Sequence, residues 1–223
     1  MGKFAHDTIV PIKNSPLAKK EQVAAMFDSI AYRYDFLNRF LSAGIDVYWR
    51  KKAIQQLKSL DPKKILDVAT GTADVAIMTQ KMLHTDKIVG IDISDGMLEI
   101  GKKKIAEKGL GTSIELYQGD SEKINFDTNS FDAVTVAFGV RNFQNLTTGL
   151  TEMKRVLKPG GKLVVLEFSK PKNIAFKPIY NLYMNTIAPH FGKMVAKNKD
   201  AYQYLNDSVQ AFPEALCCFQ DAG

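Results

Sequence analysis

Cysteine and histidine are scarce in this chain of 223 residues, which has two cysteines and three histidines. The cysteines, Cys217 and Cys218, are neighbours, and adjacent cysteines suit neither a disulfide framework nor a CxxC metal site. The histidines lie far apart in the sequence, so the ligand spacing of a zinc site is missing as well. We therefore expect no metal site and no fold that depends on disulfide bonds.

Long apolar runs are also missing, since no stretch approaches the roughly 20 residues that a membrane-spanning helix needs. The segment from Met1 to Lys13 mixes Lys3, His6 and Asp7 with apolar residues, which is not the pattern of a secretory signal. The expected location is therefore the cytoplasm. The net charge of +6 is spread along the chain, a distribution more typical of solvated helix faces than of a nucleic-acid interface.

The apolar pattern divides the chain near residue 63. Before it, residues 18–41 carry apolar side chains at steps of three and four, which predicts a helix with room for one break. A second helix is predicted over 46–60, where Asp61-Pro62 ends it. After it, short apolar strands are predicted over 64–69, 87–92, 114–118, 131–138 and 162–168, with helices over 74–83, after the capping residue Ser94, and over 145–157.

Strands that alternate with helices predict a mostly parallel sheet with right-handed crossovers. The strands are apolar throughout, as expected when helices cover both faces of the sheet. We therefore predict one α/β domain with a Rossmann-like, doubly wound sheet. Its parts would be an N-terminal helical cap over 1–62, a ligand-binding core over 63–170, and a helical substrate-side insertion with a C-terminal segment over 171–223. In such sheets, ligands bind beyond the carboxyl ends of the strands where the strand order reverses.

Polar motifs follow three successive strands. The segment Asp67-Val-Ala-Thr-Gly-Thr-Ala-Asp74 contains a glycine that lets the backbone turn and approach a ligand. Asp92 ends the second strand, where a carboxylate can accept hydrogen bonds from both hydroxyls of a ribose. Gly119-Asp120-Ser121 follows the third strand and suits an adenine amino group. Each motif taken alone is also explained by a helix cap or a plain turn.

The three motifs together favour adenosylmethionine over a nicotinamide cofactor, because a pyrophosphate needs the G-x-G-x-x-G pattern that this chain lacks. They predict a class I S-adenosylmethionine-dependent methyltransferase fold. The candidate cofactor-binding residues are Asp67, Thr70, Gly71, Thr72, Asp92, Ile93, Asp120, Ser121 and Ala137.

Longer motifs extend along most of the chain. They are Phe27-Asp-Ser-Ile-Ala31, Tyr34-Asp35, Gly44-Ile-Asp46, Trp49-Arg50, Phe138-Gly-Val-Arg-Asn142, Arg155-Val-Leu-Lys-Pro-Gly-Gly161, Leu166-Glu-Phe-Ser169 and Ala201-Tyr-Gln-Tyr-Leu205. On these motifs, the chain resembles the ubiquinone/menaquinone biosynthesis C-methyltransferase family over roughly residues 15–215. The stretch from Gly44 to Ala53 is most similar to the menaquinone branch.

The resemblance implies methyl transfer from adenosylmethionine to a ring carbon of a prenylated quinol. It places Thr72 at the amino-acid end of the cofactor, Asp92 at the ribose, and Asp120 with Ser121 at the adenine. The candidate catalytic residues are Arg141, to stabilise a developing phenolate, and Asn142, Tyr202 and Asp35, to orient the ring. Simpler roles are open for them: an ion pair for Arg141, packing for Tyr202 and a helix cap for Asp35.

The sequence departs from this family in two places. Ala73 stands where the family usually has glycine, and its methyl group is expected to crowd the cofactor or shift the turn. The chain also stops before the pair of strands that closes the family's sheet, which predicts five strands and an exposed edge.

The expected partner is the prenylated quinol, with no nucleic acid; peripheral association with a membrane and self-association are left open. A benzoquinol in place of the naphthoquinol is open too. The alternative functions are methylation of oxygen or nitrogen in another small molecule, and a non-catalytic, cofactor-binding scaffold in a quinone-synthesis complex.

Overall fold

A six-stranded sheet forms the centre of the protein. The computed structural model describes residues 4–42, 44–168, 199–212 and 219–221. The strands are β1 (Lys64–Val68), β2 (Lys87–Asp92), β3 (Ile114–Gln118), β4 (Phe131–Ala137), β5 (Leu157–Leu166) and β6 (Phe219–Asp221). Their order is β3-β2-β1-β4-β5-β6, with β1 to β5 parallel and β6 antiparallel to β5. The predicted α/β fold with a mostly parallel sheet is confirmed.

Six helices accompany the sheet within the described residues. They are α1 (Lys19–Leu41), α2 (Ile45–Gln55), α3 (Asp74–Leu83), α4 (Asp95–Glu107), α5 (Leu146–Val156) and α6 (Lys199–Ala211). Short 3-10 turns cover Ala5–Thr8, Lys58–Leu60 and Val140–Asn142. None of the helices in these ranges is long and apolar enough to cross a membrane.

The cap helices differ from the prediction at their ends. The break expected in the first helix is absent, since α1 runs from Lys19 to Leu41 as one α-helix. The second helix ends earlier than predicted, at Gln55, and a 3-10 turn follows it. The fully buried Leu57 lies between the two, and Asp61 in the left-handed region redirects the chain into β1.

Apolar side chains cover both faces of the sheet. Alternate residues of a strand point to opposite faces, so Leu66 and Val68 join one apolar cluster while Ile65 joins the other. The first cluster includes side chains of α5, such as Met153, and the second includes side chains of α3 and α4, such as Ile105. This arrangement explains why the strands are apolar throughout rather than alternating.

The far edge of the sheet corrects the expectation of five strands. The three residues of β6 pair with β5 in antiparallel register, with Gln220 opposite Leu163. β5 itself starts at Leu157 rather than at residue 162, because Leu157 already pairs with Phe131 before the chain passes through Pro159-Gly160-Gly161. The ladder resumes with Lys162 opposite Ala133, so these residues form a bulge within the strand.

Ala73 lies in the turn after β1, where its backbone conformation is unusual and its methyl group is buried. Its φ of 63° lies in the left-handed region, which disfavours residues with a side chain. The methyl group is fully buried in the apolar cluster that contains Ile77 and Ile105. The expectation that this methyl crowds the cofactor is therefore wrong, because it packs into the core behind the turn.

Candidate active site

A cleft opens where the strand order reverses. β1 lies between β2, which follows it in the chain, and β4, which the chain reaches only after β3. The carboxyl ends of these three strands are thus neighbours, and the loops that follow them border a cavity of about 660 Å³ that is partly open to solvent.

Seven of the predicted site residues line this cavity: Gly71, Asp92, Ile93, Asp120, Ser121, Ala137 and Asn142. They come from the ends of four different strands or from the turns that follow them. The cavity also has apolar and aromatic walls, formed by Val23, Phe27, Tyr34, Met97, Phe138 and Phe143.

The carboxylate of Asp92 joins two loops at the edge of the cavity. One oxygen accepts a hydrogen bond from the backbone N–H of Gly71 at 2.8 Å, and the other accepts from the N–H of Ser94 at 2.9 Å. Burial raises the pKa of Asp92, while these backbone donors oppose that rise. A carboxylate oxygen has two lone pairs, so each can accept one more hydrogen bond, as a ribose hydroxyl would require.

Asp120 lies at the opposite end of the cavity and contacts the cap. One of its oxygens accepts from the backbone N–H of Glu122 at 2.8 Å, and the other accepts from the ammonium of Lys20 at 2.9 Å. This hydrogen bond raises the pKa of Lys20. Helix α1 therefore reaches the position that the sequence assigns to adenine.

Asp67 and Thr70 lie beneath the cavity and bond to each other. The carboxylate of Asp67 is buried and accepts hydrogen bonds from the hydroxyls of Thr70 and Thr135, both at 2.6 Å. Burial raises the pKa of Asp67 to about 6. These side chains hold the turn after β1 against β4, and their contacts are with the protein.

Thr72 and Asp35 meet behind the turn, in a polar cluster with Lys104 and Asp74. The hydroxyl of Thr72 donates to Asp35 at 2.5 Å, and the ammonium of Lys104 contacts Asp35 at 2.8 Å and also binds Asp74. Arg50 of α2 completes the cluster, 3.0 Å from Asp74. Although burial opposes it, the cations beside Asp74 lower its pKa. The cluster fastens both cap helices to the core.

Arg141 is buried next to residues that line the cavity and does not line it itself. Its guanidinium pairs with the buried carboxylate of Glu167 and donates to the carbonyl oxygen of Phe138 at 2.8 Å. The simpler role left open for it, an ion pair, is thus the one its contacts show. Asn142 faces the cavity, and its buried Oδ1 accepts no hydrogen bond from the described residues. The side chain of Tyr202 lies outside the described residues.

Sequence reasoning missed several residues of the cavity wall as individual sites. Lys20 and Val23 gave no signal, because a lysine and a valine on a helix are ordinary surface and core residues. Phe27, Tyr34 and Phe138 lie within the motifs that carry the family resemblance, and only that position indicated that they belong to the site. Burial raises the pKa of the Tyr34 hydroxyl, although its hydrogen bond to Asn38 opposes that rise.

The residues present fit adenosylmethionine. Gly71 has φ of 56°, and a β-carbon at this position would meet no atom within 4 Å, so the turn leaves room beside the carboxylate of Asp92. The unpaired acceptor of Asn142 and the spare lone pairs of Asp92 suit the hydroxyl and ammonium donors of that cofactor. The apolar wall residues Ile93 and Met97 suit a flat adenine.

The parallel sheet, its strand order and the acid at the end of β2 define a class I S-adenosylmethionine-dependent methyltransferase. Two solved structures support the fold. A candidate S-adenosyl-L-methionine-dependent methyltransferase from Methanococcus maripaludis has a TM-score of 0.59 at 22% identity, covering 83% of this chain and 84% of that one. The [4+2]-cyclase SpnF has a TM-score of 0.64 at 18% identity, covering 86% and 90%.

The chain belongs to the ubiE/COQ5 methyltransferase family, which it matches over residues 16–223. A demethylmenaquinone methyltransferase from Bacteroides fragilis is 44% identical over 211 residues, which cover 95% of this chain and 86% of the relative. The ubiquinone/menaquinone biosynthesis C-methyltransferase UbiE of Geotalea daltonii is 46% identical over 196 residues, covering 87% and 83%. The resemblance found in the sequence motifs is confirmed.

Replacing Asp92 by asparagine is expected to weaken cofactor binding. The amide nitrogen would face a backbone N–H, and the charge that strengthens the hydrogen bonds would be lost. Hydrogen bonds to charged groups contribute about 1.5–3 kcal/mol, so the Kd for adenosylmethionine should rise about 10- to 150-fold. Isothermal titration calorimetry measures this, with Asp95→Asn on the exposed first turn of α4 as the control. Unchanged affinity in Asp92→Asn would contradict the role given to Asp92.

The raised pKa of Asp67 predicts a pH-dependent cost in stability. An acid whose folded pKa is about 6 and whose usual value is 3.8 destabilises the fold progressively as pH rises between those values. A shift of this size corresponds to roughly 3 kcal/mol. The Asp67→Asn variant lacks the titration, so its stability relative to wild type should rise by about 2–3 kcal/mol from pH 4 to pH 7.

Urea denaturation across this pH range tests the Asp67 prediction. Asp132→Asn is the control: Lys158 and the N–H groups of Lys63 and Lys64 lower the pKa of Asp132 although burial opposes them. Its stabilising effect is complete above its usual value of 3.8, so the stability difference for this variant should be nearly flat above pH 4. An equally flat profile for Asp67→Asn would overturn the interpretation of Asp67.

Proposed function

We propose that this protein transfers the methyl group of adenosylmethionine to a ring carbon of a prenylated naphthoquinol, the last methylation on the way to menaquinone. The observation that carries the proposal is the 44% identity to a demethylmenaquinone methyltransferase over 95% of the chain. The fold by itself would not carry it, since one fold hosts many reactions.

The chemistry needs little from the protein beyond alignment and a dry site. Adenosylmethionine supplies a methyl group already activated by the sulfonium. A quinol ring carbon becomes nucleophilic when the neighbouring hydroxyl loses its proton. The residues must therefore hold the ring in line with the methyl group and exclude water.

The aromatic wall of the cavity suits this task. Phe138 stacks on Phe168 with ring centroids 4.5 Å apart, and the guanidinium groups of Arg50 and Arg141 lie over these two rings at 5.7 and 5.6 Å. This column keeps the wall rigid, because each ring is held by an aromatic contact and a cation. The hydroxyl of Tyr34 and the Oδ1 of Asn142 remain as polar groups of the wall that can orient a quinol oxygen.

A peripheral contact with the membrane is part of the proposal, since a prenylated substrate is held in lipid. Large apolar side chains are exposed on the cap helices, with Tyr32 93% exposed and Tyr48 58% exposed. Lys51 and Lys52 on α2 are exposed as well, and the ammonium of Lys52 lies 5.6 Å from the ring centroid of Tyr48. Aromatic rings with neighbouring cations suit the interface of an anionic bilayer. Residues 171–198 of the predicted substrate-side insertion lie outside the described residues. Self-association stays open.

Mass spectrometry of quinol products tests the reaction. The protein is incubated with adenosylmethionine and chemically reduced demethylnaphthoquinol, and in parallel with the corresponding benzoquinol. One added methyl group on the naphthoquinol alone is the expected result, and Asp92→Asn should slow it. Methylation of both rings would instead extend the activity to the ubiquinone pathway. Intact cofactor binding with no product from either ring would overturn the enzymatic proposal and favour a scaffold.

Sedimentation with anionic vesicles tests the membrane contact. Tyr32→Ser should lower the vesicle partition constant about fivefold, because it removes roughly 1 kcal/mol of apolar burial. Tyr117→Ser is the matched control, since Tyr117 is an exposed tyrosine (48%) on β3, outside the cap. No binding by wild type at low salt, or equal losses in both variants, would refute a contact through the cap.

A further inference from the structure

Three polar side chains of helix α1, Lys20, Asp28 and Asp35, are spaced regularly along it and contact the core. They are eight and seven residues apart, about two helical turns in each case. Lys20 binds Asp120 at 2.9 Å, Asp28 binds Ser94 at 2.6 Å, and Asp35 binds Thr72 at 2.5 Å. Each contact falls on one of the three strand-end segments that the sequence assigns to the cofactor. The helix therefore lies across all three of them.

The contact of Asp28 leads most directly to the cofactor site. Its Oδ1 accepts hydrogen bonds from the hydroxyl of Ser94 at 2.6 Å and from the backbone N–H of Gly96 at 2.9 Å. The backbone N–H of Ser94 in turn donates to Asp92 at 2.9 Å. Asp28 on the cap thus holds Ser94, and Ser94 in turn holds Asp92, whose carboxylate faces the cavity.

Gly96 makes this close approach feasible. A β-carbon on Gly96 would lie 3.0 Å from Oδ1 of Asp28 and 3.3 Å from its Cα. Both distances are shorter than an ordinary van der Waals contact, so a side chain at this position would displace Asp28 by a few tenths of an ångström. The fit of Asp28 against α4 depends on a residue without a side chain.

We propose that Asp28 is a positioning residue for the cofactor. By holding Ser94, it keeps the carboxylate of Asp92 in the orientation that accepts hydrogen bonds from the ribose hydroxyls. The competing explanation is that Asp28 only stabilises the N-terminus of α4, as any carboxylate near a helix N-terminus does. Asp95 in the first turn of the same helix has that effect without contacting Ser94, and it therefore provides the control.

The test measures the binding of S-adenosylhomocysteine, the demethylated cofactor, by calorimetry. Asp28→Ala should raise its Kd about tenfold, whereas Asp28→Asn, which keeps an acceptor oxygen, should raise it less than about threefold. Asp95→Ala should leave it within about twofold. Because no methyl acceptor is involved, failure of the proposed quinol reaction leaves this result unaffected.

A ligand without the 2′-hydroxyl identifies the part of the cofactor that Asp28 serves. In wild type, 2′-deoxy-S-adenosylhomocysteine should bind more weakly than the parent compound, and in Asp28→Ala this difference should shrink to about twofold or less. Equal losses for both ligands, or equal losses in Asp28→Ala and Asp95→Ala, would overturn the proposal.

Gly96→Ala keeps the proposal testable if Asp28→Ala does not fold. Alanine favours a helix more than glycine does, so α4 itself is not weakened by this change. The added methyl group nevertheless displaces Asp28, so S-adenosylhomocysteine should bind several-fold more weakly than to wild type. Unchanged binding in Gly96→Ala would contradict the positioning role.

Discussion

The carboxylate of Asp92 is the contact on which the shape of the site depends. It accepts backbone hydrogen bonds from Gly71, in the turn after β1, and from Ser94, at the start of α4. The turn it holds has Ala69, Gly71 and Ala73 in the left-handed region, which costs roughly 1–2 kcal/mol for a residue with a side chain. Such a backbone persists only when its surroundings fix it. A side chain at the end of β2 thus sets the conformation of the loop next to it.

The sequence was sufficient to locate the site but not to orient every side chain within it. Runs of apolar residues and the alternation of strands with helices specify a parallel sheet, and such a sheet brings the ends of neighbouring strands together. The direction of a side chain after a strand depends on the φ values of the turn, however. Asp67 and Thr70 turn inward and bond to each other, while Gly71 faces the cavity. No spacing rule separates these outcomes within one short motif.

The partners of charged residues could not be predicted from the sequence for a related reason. A buried charge is costly unless it is paired, so an arginine in a buried motif suggests chemistry. Here Arg141 pairs with Glu167 and supports the wall, and Asp35 joins Lys104 and Thr72 behind the loop. Their partners are distant in sequence, and only the folded chain brings them together. The pairs of Asp35 with Lys104 and of Arg50 with Asp74 fix the two cap helices, which have no sheet of their own, to the core.

Access to the cavity distinguishes ligand-binding groups from structural ones in this site. The carboxylates of Asp67 and Asp92 each accept two hydrogen bonds, but Asp92 lines the cavity and Asp67 does not. Asp120 also lines the cavity, and one of its oxygens accepts a hydrogen bond from Lys20 of α1. An adenine amino group that bound this oxygen would share it with the cap. Cofactor binding at Asp120 is therefore linked to the position of α1, although the cap and the ligand-binding core are separate segments that meet near residue 62.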